Sequence, residues 1–303
     1  MSYSFKILID KLWPEHYYKK TNIYYAPYEF KDKISNMNPL FQYIASNDSK
    51  DLINFIVMTL HEELNIANDI INISNQIPDQ SNKEIIFQEF INDFKQRYNS
   101  LASNLFYGAK YDVIQCTQCG IRLYNYDIYF SLVFPLQEVK KFVYQNYYYN
   151  PVNNNVLDIY QCFEFERRIC LMSGDNAMYC DICQINTAFN MYTNLVYGPN
   201  ILIIILNRGQ GKQFEVKLNF YENLNLYNYI EKPETGVNYK LIGVITYLKE
   251  GGKSEHFIAF CRDPYNNIWY KFNDVIVSPV ENFKREVIDY AVPNLLFYQK
   301  ENI

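Results

Sequence analysis

Apolar residues recur at helical spacing through the first hundred residues of the chain. Asp48 or Ser49 is placed to cap one helix, and the apolar positions that follow are Leu52, Ile53, Phe55, Ile56 and Leu60. A second run with this period covers Lys83–Tyr98. Between the two runs, Ala67–Gln80 is rich in Asn, Ser and Asp and has no clear period, which favours a loop or an insertion. The pattern predicts a helical N-terminal lobe over residues 1–105.

After about Leu105 the pattern changes to short runs rich in β-branched and aromatic residues, separated by turn residues. The runs are Tyr111–Ile114, Tyr126–Phe134, Asn190–Tyr197, Ile201–Leu206, Phe214–Leu218, Lys240–Tyr247, Glu255–Cys261 and Ile268–Phe272. Ile201–Leu206 is wholly aliphatic and is typical of a buried strand. Tyr144–Asn155 has no apolar stripe and is predicted to be a surface insertion. The whole pattern predicts an α+β fold, with an antiparallel β region over residues 106–303.

Composition sets limits on the class of protein. The chain has 303 residues, of which 49% are hydrophobic and 20% charged, which suits one large domain or two small ones. The family resemblance described below implies a single domain over residues 1–303. Its net charge of −5 argues against a nucleic-acid partner, since a nucleic-acid binder normally carries a basic face. The longest aliphatic run is far shorter than the roughly 20 residues that span a bilayer, and no secretory signal is visible. We therefore expect a soluble protein, cytoplasmic or nuclear, without a membrane partner.

Seven cysteines carry the clearest chemical signal, and none of them precedes Cys116. Four form two Cys-x-x-Cys pairs, Cys116 with Cys119 and Cys180 with Cys183. Two thiolates at this spacing can reach one tetrahedral metal ion across a tight turn, so the pairs predict a structural zinc site with four cysteine ligands. The alternatives are buried free cysteines that share a spacing, or a redox dithiol, although neither pair opens a helix after a strand.

The order of these features resembles the ubiquitin-specific protease family of cysteine deubiquitinases. Asp48–Phe55, followed by Leu60–Asn65 with the letters LHEELN, is similar to the family's QQDAQEFL…LHEEL helix. Cys116–Gly120, followed by Tyr126–Leu136, is similar to its first zinc knuckle and the strand that leads to L-x-L-P. These segments lie in the order in which the family has them.

The later segments continue the resemblance, which covers about Phe5 to Gln299. Tyr179–Cys183 and then Gly198–Ile203 are similar to the second knuckle and its following strand, and Asn207-Arg208 stands where the family has LKRF. Tyr239–Ile245 leads into Glu255–Phe257, which resembles the family's histidine box. Trp269–Asp274, WYKFND, resembles the WY-x-F-(D/N)-D segment that closes the active site.

The resemblance implies residue roles. His256 would be the catalytic base and Asn273 its orienting partner, with Asp274 beside them. An Asn that accepts the Nδ1 proton fixes the tautomer of the ring, so that Nε2 can withdraw a proton from a thiol. Asp48 would contact the C-terminal tail of ubiquitin, although a plain helix cap is the alternative, and Phe257 would contact ubiquitin beside the histidine.

The family also implies an architecture and a reaction. The architecture is that of the papain-like cysteine protease superfamily, with fingers, palm and thumb, zinc at the fingertip, and ubiquitin or ubiquitinated proteins as partners. The reaction is hydrolysis of the isopeptide bond after ubiquitin's C-terminal glycine. A third class, a zinc-ribbon nucleic-acid binder, is disfavoured by the acidic balance of the chain.

The family's N-terminal cysteine box has no counterpart in these residues. We expect Cys162, Cys170 and Cys261 to pack as small hydrophobic residues rather than to act as nucleophiles. Glu255 replaces the glycine before the histidine, which adds bulk and negative charge where the ubiquitin tail must pass. Two interpretations remain: an active deubiquitinase whose cysteine box is supplied upstream, or an inactive pseudo-deubiquitinase that acts as a ubiquitin-binding module.

Overall fold

A computed structural model describes residues 1–12, 25–42, 49–67, 82–146, 156–209, 216–248 and 256–301. The chain divides into two compact units. One comprises Met1–Ala67 with Tyr98–Ser103, and the other Asn68–Arg97 with Asn104–Ile303. Among the helices in these ranges, none is both long and apolar enough to cross a membrane. A single domain over residues 1–303 stays a prediction.

The first unit is built from helices. They are α1 (Ser2–Leu12), α2 (Tyr28–Met37), α3 (Ser49–Leu64) and the first turn of α5 (Leu101–Phe106). Aromatic contacts hold α1 to α2, where the rings of Phe5 and Phe30 lie 5.5 Å apart. The predicted helix after Ser49 is confirmed, whereas Asp48 lies outside the described residues.

The second unit contains every described strand. Its helices are α4 (Lys83–Arg97), the rest of α5, α6 (Leu136–Asn146) and α7 (Ile159–Glu166). Its strands are β1 (Gly108–Cys116), β2 (Arg122–Tyr129), β3 (Leu132–Pro135), β4 (Val156–Asp158), β5 (Cys170–Met172), β6 (Met178–Cys180), β7 (Ile185–Thr187), β8 (Phe189–Tyr197), β9 (Ile201–Asn207), β10 (Lys217–Asn219), β11 (Asn223–Asn225), β12 (Asn238–Leu248), β13 (His256–Arg262), β14 (Trp269–Asn273), β15 (Ile276–Pro279) and β16 (Pro293–Lys300).

The larger sheet forms the centre of this unit. Its strand order is β15-β14-β13-β12-β16-β9-β3, with β11 paired beside β12. All of these pairings are antiparallel except that of β3 with β9. The aliphatic run Ile201–Leu206 lies in β9, buried between β16 and β3, as its pattern predicted. Helix α7 contributes Phe163 to the same core, edge-on to Phe134 at a ring distance of 5.2 Å.

A smaller sheet, in the order β2-β1-β8-β5, extends from this core. Helix α4 covers one of its faces, where Phe87 and Phe90 pack against Tyr111 and Tyr126. Lys83, at the start of α4, donates hydrogen bonds to Tyr111 Oη (3.0 Å) and to Glu231 (2.7 Å). Aromatic packing and this ion pair therefore hold α4 to the β-rich unit, although its sequence falls in the predicted helical lobe.

The α+β class is confirmed, but the predicted β region contains helices that were not anticipated. Helix α7 begins after Asp158, whose side chain accepts a hydrogen bond from the Tyr160 N–H, while the Asp158 N–H donates one to Oε1 of Gln161. The predicted strand Tyr126–Phe134 is divided into β2 and β3. The predicted insertions at Ala67–Gln80 and Tyr144–Asn155 lie largely outside the described residues.

Candidate functional site

His256 and Asn273 meet on adjacent strands of the larger sheet. His256 is the first residue of β13, and Asn273 is the last residue of β14. Ala259 pairs with Phe272, so the register places Asn273 beside Ile258 and on the same face as His256. The ring Nε2 of His256 lies 2.7 Å from Asn273 Oδ1, and the ring is half-buried. The structure thus brings together the two residues to which the sequence assigned a base and its orienting partner.

The nitrogen that makes this bond differs from the one expected from the sequence. An amide oxygen can only accept a hydrogen bond, so Nε2 must carry the proton and the lone pair of a neutral ring lies on Nδ1. The sequence names both residues but not the direction from which the ring is approached.

The other residues predicted around His256 have different surroundings. Asp274 is exposed in the turn between β14 and β15, with φ 51°, and no hydrogen bond joins it to the His256 ring in the described part of the chain. Asp tolerates this left-handed conformation better than most residues, so its position also suits the turn itself. Phe257 points to the opposite face of β13, where its ring lies 5.6 Å from that of Tyr247. Asp48 and Glu255 lie outside the described residues.

The four cysteines of the two Cys-x-x-Cys pairs converge at the far end of the smaller sheet. Cys116 ends β1 and Cys180 ends β6, and their pair partners Cys119 and Cys183 follow in the two turns. All four Sγ atoms lie within 4.8 Å of one another. Sγ of Cys116 is 3.9 Å from that of Cys183, and Sγ of Cys119 is 3.6 Å from that of Cys180.

The donor set and its spacing fit a zinc ion. A tetrahedron with Zn–S bonds of about 2.3 Å has sulfur atoms about 3.8 Å apart, close to the two separations given above. Each knuckle is closed by a backbone hydrogen bond, from Gly120 N to Cys116 O (3.1 Å) and from Gln184 N to Cys180 O (2.7 Å). Gly120 and Gln184 both have positive φ, 76° and 58°, which turns the chain back toward the first cysteine of its pair. These residues can therefore hold zinc.

Hydrogen bonds within the cluster shift the ionisation of its thiols in opposite directions. Burial raises the pKa of Cys116, but hydrogen bonds from the backbone N–H groups of Cys119 and Gln118 and from neighbouring thiols outweigh it and bring the pKa to about 6. Burial and hydrogen bonds with the other three thiols raise the pKa of Cys183 to about 12. Because zinc is bound by thiolates, filling this cluster releases protons.

The three remaining cysteines are not placed to react beside His256. Cys162 is fully buried in α7, as predicted, and burial raises the pKa of its thiol. Cys170 is half-buried on β5, in the smaller sheet. Cys261 is exposed, contrary to the prediction that it packs in the core. It lies five residues beyond His256 on β13, so it is about 16 Å further along the strand and points to the opposite face.

Arg208 is a buried residue for which no function was predicted from the sequence. Its side chain is 2% exposed, and burial lowers the pKa of its guanidinium to about 10. Nε donates to the carbonyl of Pro293 (2.6 Å) and Nη1 to that of Val216 (2.5 Å), so Arg208 links the end of β9 to the start of β16. A charged residue two positions after a six-residue aliphatic run was the signal available in the sequence.

This fold joins a sheet-borne histidine–asparagine pair to a four-cysteine cluster, the combination expected of a thiol-protease domain. Comparison with protein families identifies the class more closely. Residues 1–298 match the family described as ubiquitin carboxyl-terminal hydrolase, and the chain belongs to that family. It is thus a deubiquitinase-family domain with the papain-like fold that the resemblance implied.

Individual proteins give the same assignment. The chain is 22% identical to ubiquitin carboxyl-terminal hydrolase Usp2 of Drosophila melanogaster over 98% of its own length and 30% of that protein's. It is 24% identical to ubiquitin carboxyl-terminal hydrolase 2 of Bos taurus over 97% of its length and 46% of the relative's. The chain therefore spans less than half of these two relatives.

Solved structures agree on the fold. One is the SAGA DUB module Ubp8/Sgf11/Sus1/Sgf73 bound to ubiquitin aldehyde, with a TM-score of 0.65 at 17% identity. A second form of this module, bound to monoubiquitin, gives a TM-score of 0.69 at 17% identity. Each alignment covers 100% of this chain and 59% of the matched one.

Proposed function

We propose that this chain supplies the base and the orienting residue of a cysteine deubiquitinase, and that a segment outside residues 1–303 supplies the nucleophile. His256 takes the thiol proton, and the thiolate attacks the carbonyl carbon of ubiquitin's C-terminal glycine. The imidazolium then protonates the departing amine, and water hydrolyses the resulting thioester. Asn273 holds the ring in the required tautomer throughout.

The hydrogen bond between His256 Nε2 and Asn273 Oδ1, at 2.7 Å, is the observation that carries this proposal. A general base must present one defined nitrogen to the nucleophile, and a hydrogen bond to the other ring nitrogen fixes which one that is. Family membership supplies the substrate class, ubiquitin or ubiquitinated proteins. The solved structures that bind monoubiquitin or ubiquitin aldehyde support the same partner for this chain.

The second candidate is a ubiquitin-binding module without catalysis. It is favoured by the positions of the seven cysteines, of which four converge in one cluster and three are remote from the His256 ring or buried. Glu255, where the family has glycine, points the same way because it adds a side chain and a negative charge next to the histidine. In this candidate the His256–Asn273 pair has no reaction to serve.

We further propose that zinc fills the four-cysteine cluster and acts structurally. Four thiolates complete a tetrahedral shell, so no position is left for a catalytic water. The ion would fix the turn after β1 to the turn after β6, which lie about sixty residues apart in sequence. Reduced thiols suit an intracellular protein, cytoplasmic or nuclear.

Two measurements on the zinc-loaded chain separate the candidates. Hydrolysis of a fluorogenic ubiquitin substrate is compared for residues 1–303 and for a longer chain that includes the residues encoded upstream of Met1. The protease proposal expects turnover by the longer chain only, and loss of that turnover in its His256→Ala variant. Binding of ubiquitin by calorimetry, with no turnover by either chain, would instead establish the binding module.

A further inference from the structure

The four-cysteine cluster is open to solvent on one side. Cys116 and Cys180 are 1% and 2% exposed and pack against Phe189. Cys119, in the turn after β1, is exposed. Cys261 is the other exposed cysteine of the chain, and it lies on β13 in the larger sheet. A small reagent dissolved in water therefore reaches the cluster most readily at the sulfur atom of Cys119.

A second sulfur atom lies close to that of Cys119, on the other knuckle. The Sγ atoms of Cys119 and Cys180 are 3.6 Å apart, so a disulfide bond of about 2.05 Å would need them to approach by about 1.5 Å. Cys180 is fixed at the end of β6, whereas Cys119 is carried by a turn, which can supply this movement. An exposed thiol next to a resolving thiol is the arrangement in which an oxidised cysteine is captured as a disulfide.

We propose, on the basis of the zinc site proposed above, that Cys119 is a site of reversible oxidation by peroxides and that Cys180 resolves it as a disulfide. Sγ of Cys119 attacks hydrogen peroxide, the O–O bond breaks, and hydroxide leaves a sulfenic acid behind. Sγ of Cys180 then attacks the Cys119 sulfur and expels a second hydroxide. Two protons from solvent turn both hydroxides into water, so two thiolates lose two electrons and one peroxide gains them.

The disulfide removes two of the four zinc ligands. The thiols of Cys116 and Cys183 remain, and they are too few for the closed tetrahedral shell of a structural zinc site. The knuckles nevertheless stay together, because the new bond joins the same two turns through residues 61 positions apart. Oxidation therefore replaces the ion by a covalent link between the same two parts of the chain.

Zinc release tests the proposal on the zinc-loaded chain in a Cys261→Ser background, with hydrogen peroxide as oxidant and a coloured metal indicator. Cys119→His keeps four zinc ligands, since three cysteines and one histidine are an ordinary set, but it cannot form the disulfide. We expect this variant to release zinc at least about tenfold more slowly. Cys183→His is the matched control, because it makes the same replacement and leaves Cys119 and Cys180 in place.

Peptide mass spectrometry identifies the bond in the chain with all four cluster cysteines. One equivalent of hydrogen peroxide per chain should join Cys119 to Cys180, with fragmentation locating the free thiols at Cys116 and Cys183. Reduction by dithiothreitol, followed by added zinc, should restore the zinc content. Hydrogen exchange in β6 and β7 should be slower in the oxidised chain than in the reduced chain without zinc, because the disulfide still holds this hairpin.

Three outcomes would overturn the proposal. They are equal rates of zinc release from Cys119→His and Cys183→His, a main disulfide within one knuckle, and zinc that stays bound after peroxide treatment. A chain that holds no zinc before treatment would refute the zinc site, and the peptide map of that oxidised chain would then decide for or against the pairing of Cys119 with Cys180. None of these readouts depends on deubiquitinase activity, so the proposed reaction stands or falls separately.

Discussion

The four-cysteine cluster and the His256–Asn273 pair represent two degrees of completeness in one unit of the protein. The cluster brings four equivalent ligands together from two turns, and its sulfur spacing suits one tetrahedral ion. The pair brings His256 Nε2 to 2.7 Å from Asn273 Oδ1, and the proposed reaction also needs a thiolate. The ligands of the proposed zinc site are thus all among these residues, whereas the proposed reaction depends on a further group.

The largest effect should follow from opening the cluster. Cys180→Ser removes one of the four thiolates, and we expect zinc content to fall from about one ion per chain to near zero, and the free energy of unfolding to fall by more than about 3 kcal/mol. Metal analysis and denaturant unfolding measure both. Cys261→Ser, at an exposed cysteine, is the control and should keep the zinc. Equal zinc content in the two variants would contradict the four-ligand site.

The next effect concerns the pair and should leave the cluster untouched. In the longer chain that carries the nucleophile, His256→Ala should lower kcat/KM by about 10²–10⁴-fold, because the proton acceptor is lost. Zinc content should not change, and the free energy of unfolding should change by about 1 kcal/mol or less, since the ring is only half-buried. A zinc-depleted His256→Ala protein would mean that the two sites are not independent.

Asn273→Ala should lower kcat/KM by less than His256→Ala does. The base is retained, but the ring loses the acceptor that fixes its tautomer. Asn273→Asp restores an acceptor and adds a charge that favours the imidazolium, so the acidic limb of the pH–rate profile should move to higher pH. An unchanged profile in that variant would show that residue 273 does not contact the catalytic ring.

Substitutions at Asp274 distinguish its two possible roles. Asp274→Ala places a residue with poor left-handed propensity at φ 51° and should cost about 1 kcal/mol, whereas Asp274→Gly should not. We expect activity to follow stability, with the glycine variant near the unsubstituted chain. Equal loss of activity in both variants, with full stability in the glycine variant, would instead assign the carboxylate to the active site.

The smallest effect is expected at His61, a histidine that serves the fold rather than the site. Burial is the main cause that lowers its pKa below the ordinary 6.5, and Nδ1 lies 2.7 Å from Ser100 Oγ. The unfolded chain therefore binds a proton at His61 more readily than the folded chain does. The stability that the neutral ring contributes is complete above pH 6.5, and it is lost as the pH falls through that value toward the folded pKa. Denaturant unfolding at several pH values should show a shallower acid loss for His61→Gln. The same dependence of stability on pH in both chains would exclude His61 as a cause of the acid loss.

The sequence predicted what depends on local spacing. Two Cys-x-x-Cys pairs define four ligands whatever the path between them, and an uninterrupted aliphatic run such as Ile201–Leu206 must be buried on both faces of its sheet. Resemblance to a family added the pairing of His256 with Asn273, which the periodicity of apolar residues does not predict. These two residues, seventeen positions apart, become adjacent only because β13 and β14 pair in one register.

The features that were missed depend on tertiary surroundings. Helices α6 and α7 are short, and the second is signalled mainly by the capping box at Asp158, which is easily overlooked among strand-like runs. Whether Cys261 faces the core or the solvent is decided by which face of β13 is covered, and that is set by strands distant in sequence. The ring nitrogen that Asn273 contacts is likewise fixed by the approach of two strands rather than by residue type.

The place of β16 has a consequence for how the protein is made. This strand lies between β12 and β9 in the larger sheet, although it is synthesised after every other strand in the described part of the chain. Until Pro293–Lys300 leaves the ribosome, the aliphatic β9 lacks its antiparallel neighbour, and β3 and β9 stay separated from the rest of the sheet. Nascent chains of this protein therefore carry an exposed aggregation-prone strand until Pro293–Lys300 has been made, and loss of these residues would leave β9 without its antiparallel neighbour.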